Sequence, residues 1–297
     1  MNISGRDVLE ALRSYLERRE PKIARWLVNT WNAEQEAIKY EELEYAATNK
    51  EVPLEWLLQW QQDYAEFIKS VLDPEWRGAI KSAGGHIERR IREAFQTGEN
   101  FSFTPTGQRI EQWIQTRGGE LIAQLSQTQL DAVRAILRHY TVEAPVSPQE
   151  LGRILRPIIG LTEKQATAVQ RFRESLLAEG MSQRQAERQA VRYAGQLHRF
   201  RALRIARTEL AFAYNQGQHE AIRQAQEAGI LQGRIAKEWM TAEDERVCPH
   251  CGPLDGQVIG FEETFPGATK ILPQIQTPPA HPNCRCTVGY QVLERKV

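Results

Sequence analysis

The residues best equipped for chemistry lie near the C-terminus. There the chain reads Val247-Cys-Pro-His-Cys-Gly252 and, later, His281-Pro-Asn-Cys-Arg-Cys286. These two stretches hold all four cysteines of the 297 residues. Two ligand pairs separated by a spacer are the mark of a metal knuckle, because thiolates and imidazoles close a tetrahedral shell around zinc. Cys248 and Cys251 stand at the ends of a tight turn. Cys284 and Cys286 are two apart, so in a strand both thiols would face one side. His281 lies just upstream and makes five donors for four positions: Cys248, Cys251 and Cys284, completed by either Cys286 or His281. His250 sits between two cysteines and is expected to point elsewhere.

Four thiol or imidazole ligands describe a closed, structural zinc site. A catalytic zinc needs an open position and a general base. Glu243, Asp244 and Asp255 are near in sequence, but nothing in the sequence places one of them at a metal-bound water. Disulfides or free thiols are the third reading. The opening Met-Asn-Ile-Ser-Gly-Arg lacks the layout of a signal peptide, so the thiols are expected to fold in a reducing cytoplasm, where metal is favoured over disulfides.

The elements that must position these donors are mostly helical. Val8, Leu9, Leu12 and Leu16, then Trp26, Leu27 and Trp31, then Trp56, Leu57, Trp60, Tyr64 and Phe67 recur at helical spacing. The tryptophans are expected to pack helix on helix rather than to bind a ligand. Pro74 reads as an interruption, followed by a helix through Ile80, Ile87 and Ile91 and a loop from Thr97 to Gly107. Ser126-Gln-Thr-Gln129 resembles a capping box opening the stripe Leu130, Val133, Ile136, Leu137. Thr141 to Val146, with Pro145, reads as a linker. Ser147-Pro-Gln-Glu150, Thr162-Glu-Lys-Gln165 and Ser182-Gln-Arg-Gln185 each signal a helix start, and Gly180 a stop. Helices are expected to about Ile159, over Glu163–Glu179, from Gln183 to about Phe200, and from about Arg201 to Ala228. Beyond Gly229, glycine and proline accumulate, with strands expected at Ile235–Met240 and Cys284–Val292. The predicted fold is mainly α: an elongated helical body, 1–140 and 147–229, followed by a small α+β cysteine-containing lobe, 230–297.

Charge bounds the function. Lys plus Arg is 38 and Asp plus Glu is 38, so any nucleic-acid contact needs a local patch. One candidate exists: Arg184, Arg188 and Arg192 share a helical face, with Arg199, Arg201, Arg204 and Arg207 following and mainly Glu187 opposing them. Such a stripe tracks phosphates, meets an acidic protein surface or is simply solvated. Arg207-Thr-Glu209 and Asn215 interrupt an apolar helix and are candidates to bond the following lobe. No stretch is apolar for long enough to cross a membrane.

Taken in order, Arg204-Ile-Ala-Arg-Thr-Glu209, Ala213-Tyr-Asn-Gln-Gly217, Lys237-Glu-Trp239, Asp244-Glu-Arg-Val-Cys-Pro-His-Cys251, Leu254-Asp-Gly256 and Pro278-Pro-Ala-His-Pro-Asn-Cys-Arg-Cys286 resemble the Mu F-like phage head morphogenesis family, also called minor capsid or minor head proteins. The resemblance covers roughly residues 150–292 and makes Arg207, Thr208, Glu209, Asn215, Asp244, Asp255 and Gly256 family-motif positions. It implies a minor component of a phage head, in the host cytoplasm during assembly and then in the virion. The implied partners are the portal protein, a scaffold or major capsid protein, and phage DNA. It implies no enzyme. Two alternatives stand beside it: a zinc-supported nuclease using His281 and Asn283, and a helical adaptor without DNA contact.

Overall fold

The computed structural model describes residues 6–95, 101–144, 146–242, 244–245, 247–266 and 274–293. Pro145, Glu243 and residues 97–100 of the expected loop therefore lie outside the described residues. Helices dominate: α1 (Arg6–Ala37), α2 (Tyr40–Asn49), α3 (Leu54–Phe67), α4 (Asp73–Phe95), α5 (Gln108–Arg138), α6 (Pro148–Leu155), α7 (Glu163–Ala178) and α8 (Gln183–Glu227). After α8 come the short strands β1 (Arg234–Met240), β2 (Val258–Gly260), β3 (Phe265–Pro266), β4 (Gln274–Ile275) and β5 (Thr287–Leu293). This is the mainly α chain with a small C-terminal sheet that the residue pattern predicts.

Several expected boundaries are corrected by helices that run on. Pro74 does not interrupt the chain: α3 passes through a π-helical turn at Ile68–Leu72 directly into α4, where Pro74 occupies the first turn. Pro74 offers no N–H to the helix, and it stands directly after the π-helical turn, where the regular ladder is already interrupted. Ser126 opens no helix but lies inside α5, buried by its neighbours. The two helices expected around Phe200 are one helix of 45 residues. The segment expected as a linker begins as a π-helical turn, His139–Glu143. The caps at Ser147 and Thr162 form as predicted, with Ser147 accepting from the Glu150 N–H and Thr162 making a reciprocal box with Gln165. Gly180 takes the left-handed φ of 88° that ends α7.

The chain sorts into two compact units built from non-consecutive segments: Met1–Pro21, Asp73–Gln112 and Arg204–Val297 form one, Lys22–Leu72 and Trp113–Leu203 the other. In the second unit Trp31 is fully buried, and its ring lies where a Cβ on Gly160 would sit, which is why the left-handed Gly160 (φ 87°) carries no side chain. Trp31 donates to the Tyr64 hydroxyl (3.0 Å), Tyr64 to Gln129 Oε1 (2.5 Å), and Gln129 to Glu34 (2.9 Å). The tryptophans at 31, 56 and 60 pack as predicted. Trp26 does not; it is 48% exposed.

The first unit carries the cysteines. Its core joins Leu12 and Leu16 of α1, Trp76, Ile80 and Ile87 of α4, and Leu210, Tyr214 and Ile222 of α8. Gly217 lets α8 approach the backbone of α4 so closely that a Cβ would lie 2.5 Å from the Ile80 carbonyl oxygen. The sheet has β1 at its centre, with β2 and β5 antiparallel on either side and Ala236 facing both Gly260 and Gln291. β5 is tied to α8 by Thr287, whose hydroxyl donates to Asn215 Oδ1 (2.8 Å), and by Tyr290, whose hydroxyl lies 3.3 Å from His219 Nδ1.

Candidate metal centre

The first arm of the site is a turn. The Cys251 and Gly252 N–H groups both donate to the Cys248 carbonyl (3.1 and 3.0 Å), which folds Cys-Pro-His-Cys back on itself. The Cys251 N–H also lies 3.4 Å from Cys248 Sγ, a contact that steadies a thiolate. A short 3₁₀ turn, Gly252–Leu254, follows and delivers Asp255 and Gly256. The second arm is the stretch before β5. The Cys284 N–H donates to the His281 carbonyl (3.2 Å), and Asn283 adopts a left-handed φ of 69°. The strand begins only at Thr287, so Cys284 and Cys286 are not on one strand face as expected. Their thiols converge with Cys251 nonetheless.

The donor atoms fall into two overlapping triads that share Cys251: Cys248, Cys251 and His281, and Cys251, Cys284 and Cys286. Within each triad all three donors lie within 4.8 Å of one another. His281 Nε2 is 2.9 Å from Cys248 Sγ and 3.1 Å from Cys251 Sγ, and Cys251 Sγ is 3.7 Å from Cys284 Sγ. A tetrahedral shell with metal–sulfur distances of about 2.3 Å has sulfur–sulfur edges of about 3.8 Å. The Cys251–Cys284 separation matches that edge and is far longer than a disulfide of about 2.05 Å. None of the four cysteines is in a disulfide. His281 Nδ1 faces the Pro282 carbonyl at 2.9 Å. A proton there leaves the Nε2 lone pair aimed at the sulfurs, the tautomer a metal ligand requires. A cavity of about 30 Å³ lies among Cys248, Cys251, His281, Cys284 and Cys286. The cluster therefore has the donors and the spacing to hold a metal ion. His250 is exposed and belongs to neither triad.

Mutual hydrogen bonding sets the thiols against one another. Donation to Cys284 pushes the Cys251 thiol up, and acceptance from Cys251 and Cys286 pulls Cys284 well below the ordinary thiol range. Crowded sulfurs of this kind are relieved when a cation replaces their shared protons.

The motif residues on α8 hold the second arm. Arg207 donates twice to the buried Glu20 carboxylate (2.8 and 2.8 Å) and once to Asn283 Oδ1 (2.5 Å). Thr208 Oγ1 accepts from the Asn283 N–H (2.8 Å). Asn215 donates to the Ala211 carbonyl and reaches the Cys286 carbonyl at 3.5 Å. Glu209 is buried on the same helix. Asp244 grips Arg285, the residue between Cys284 and Cys286, through two bonds of 2.6 and 2.7 Å. Asp255 accepts from the Thr241 N–H (2.8 Å), and Gly256, at φ 72°, donates to the Trp239 carbonyl. These residues position backbone; neither Asp244 nor Asp255 belongs to a donor triad. Glu20 is the functional partner that sequence reasoning missed. Nothing in Arg19-Glu20-Pro21 announces a guanidinium 187 positions away.

The basic stretch divides. Arg201 is buried and donates to the Gly160 carbonyl, and Arg207 is spent on Glu20. Glu187 turns away from the stripe, towards Arg153 at 3.3 Å and Arg173 at 4.0 Å. Arg184, Arg188, Arg192, Arg199 and Arg204 are exposed.

Residues 167–289 match the family described as Phage Mu protein F like protein. That span runs from α7 into β5 and contains both cysteine arms together with the Arg207, Thr208, Glu209 and Asn215 face of α8. The resemblance carried by the motifs is thus shown over this segment. No curated protein and no solved structure matches the chain.

Proposed function

We propose that this protein acts in the assembly of a phage head, and that its cysteine cluster is a structural zinc site serving that architecture. The observation that carries the reading is a coincidence of two spans. The family segment, 167–289, contains both the two arms of the cluster and the α8 residues that hold one of them. Cys248, Cys251 and Cys284, with His281 or Cys286, would hold the ion. Zinc would supply a cross-link between the Cys248–Cys251 turn and the stretch before β5. Such sites contribute apparent binding energies on the order of 10–16 kcal/mol, comparable to the whole stability of a small domain.

The reading assigns no catalysis. Both ring nitrogens of His281 are engaged, one by the Pro282 carbonyl and one by thiols, and the Asn283 side chain is held by Arg207. A nuclease would need that imidazole open to an attacking water. The partners proposed are the portal protein of the same phage, a scaffold or major capsid protein, and phage DNA, with the protein passing from host cytoplasm into the virion. Among the described residues no helix is long and apolar enough to cross a membrane. Co-expression with the portal protein tests the reading. Stoichiometric retention on tagged portal, lost when Cys251 and Cys284 are both serine, is expected. Equal recovery with and without portal would overturn it.

A further inference from the structure

Two features of the second unit have no role in the cysteine site, and each lacks what the other supplies. The first is a groove of about 610 Å³ between α1, α2 and α3. Glu34, Glu42, Glu55, Asp63 and Glu66 line it, against a single cation, Lys39. Trp26, the exposed exception among the tryptophans, forms part of its wall with Trp56 and Trp60. Aromatic faces beside carboxylates favour guanidinium groups, by ring quadrupole as well as by charge. Glu34 is the independent sign that something belongs there. It is only 4% exposed, one of its oxygens is satisfied by Gln129, and the other has no partner. A buried carboxyl oxygen left without a partner is costly, and a polar group bound in the groove relieves that cost.

The second feature is the arginine stripe on α8. Arg184, Arg188, Arg192 and Arg199 are exposed, and among the described residues none makes an ion pair or hydrogen bond. At 100° per residue the four fall within roughly 80° of the helix circumference, and at 1.5 Å per residue they span about 22 Å. The acidic row Glu55, Asp63, Glu66 on α3 spans about 16 Å. Val191 (53% exposed) and Phe200 (59%) flank the stripe and give it an apolar margin to set against Trp26.

We propose that the groove between α1, α2 and α3 receives the α8 arginine stripe of a second copy of this chain. The proposal uses neither the cysteine cluster nor the head-assembly reading, and it explains how a chain of zero net charge keeps two uncompensated patches of opposite sign. The contact joins unlike surfaces, so it can repeat from copy to copy.

Sedimentation of the full chain tests it. The wild type is expected to associate with rising concentration, at least about tenfold more weakly in 500 mM than in 50 mM salt. Glu55→Lys with Glu66→Lys, or Arg188→Glu with Arg192→Glu, alters exposed positions only, so each protein should keep its helical circular dichroism and run as a monomer. Mixed in equal amounts, the two variants should form a 1:1 complex, because one retains the stripe and the other the groove. Arg188→Gln with Arg192→Gln provides a milder pair and should weaken association without reversing charge. A wild type that stays monomeric at every concentration, variants that associate like wild type, or a mixture that fails to pair would each overturn the proposal. So would a stripe variant that loses retention of duplex DNA yet associates normally, since the stripe would then serve a polyanion.

Discussion

Arg207 is the residue whose loss should be felt furthest from its own helix. It satisfies a carboxylate on α1, Glu20, that is 5% exposed, and it holds Asn283 in the stretch before β5. Arg207→Met keeps the aliphatic stem but leaves the Glu20 charge buried and unpaired. Breaking one side of a buried pair costs about 3–5 kcal/mol. The Arg207 side chain retains 30% exposure, so water screens part of that, and about 3 kcal/mol is a fair expectation. In a unit of this size that corresponds to a melting shift of roughly 6–12 °C. Thermal unfolding followed by circular dichroism reads it. The companion measurement is the double variant Arg207→Met with Glu20→Leu, which removes both charges and should recover most of the loss. A single variant as stable as wild type, or a double variant no better than the single, would refute the view that this ion pair is a buried brace.

The other expectations concern the cluster and the polar core of the second unit. Cys251 belongs to both donor triads, so Cys251→Ser should open the lobe to protease between Lys237 and Leu293 while leaving most helical signal; unchanged protease resistance would contradict this. Burial pushes the Glu34 carboxyl up from its ordinary 4.5 to about 8. The folded state therefore holds a proton that the unfolded chain releases, and stability is lost as pH rises from 4.5 through 8. Relative to Glu34→Gln, the wild type should lose about 1 kcal/mol per pH unit across that window, and parallel pH profiles would count against a buried neutral carboxyl. His198 runs the other way. Burial lowers it to about 4, so the stability it lends is present above 6.5 and lost as pH falls through 4, a loss that His198→Gln should abolish in acid melts.

What the sequence made legible follows from the range over which each signal acts. Caps are local chemistry, and Ser147 and Thr162 announced α6 and α7 because their hydroxyls bond N–H groups three residues on. The cysteine cluster was legible because its ligands come in two tight pairs, each placed by its own turn. The continuity of α8 through Phe200 was not legible, since Arg199 to Arg204 mixes charge and apolar residues as the helix passes from one compact unit to the other. Ser126 carried the pattern of a cap, but the helix before it had no reason to stop. Among the donors, Cys284 and Cys286 were legible as ligands but not their place in the strand, since both precede β5. Glu20 and the groove at Trp26 depend on distant segments meeting, which no local pattern encodes.

The central claim is that Cys248, Cys251 and Cys284, with His281 or Cys286, hold one structural metal ion. X-ray absorption at the zinc edge, with elemental analysis of protein purified without added metal, tests it most directly. The account predicts about one zinc per chain, sulfur neighbours near 2.3 Å, and loss of the metal in Cys251→Ser together with opening of the lobe. Metal-free protein with a lobe that is folded and protease-resistant would contradict it.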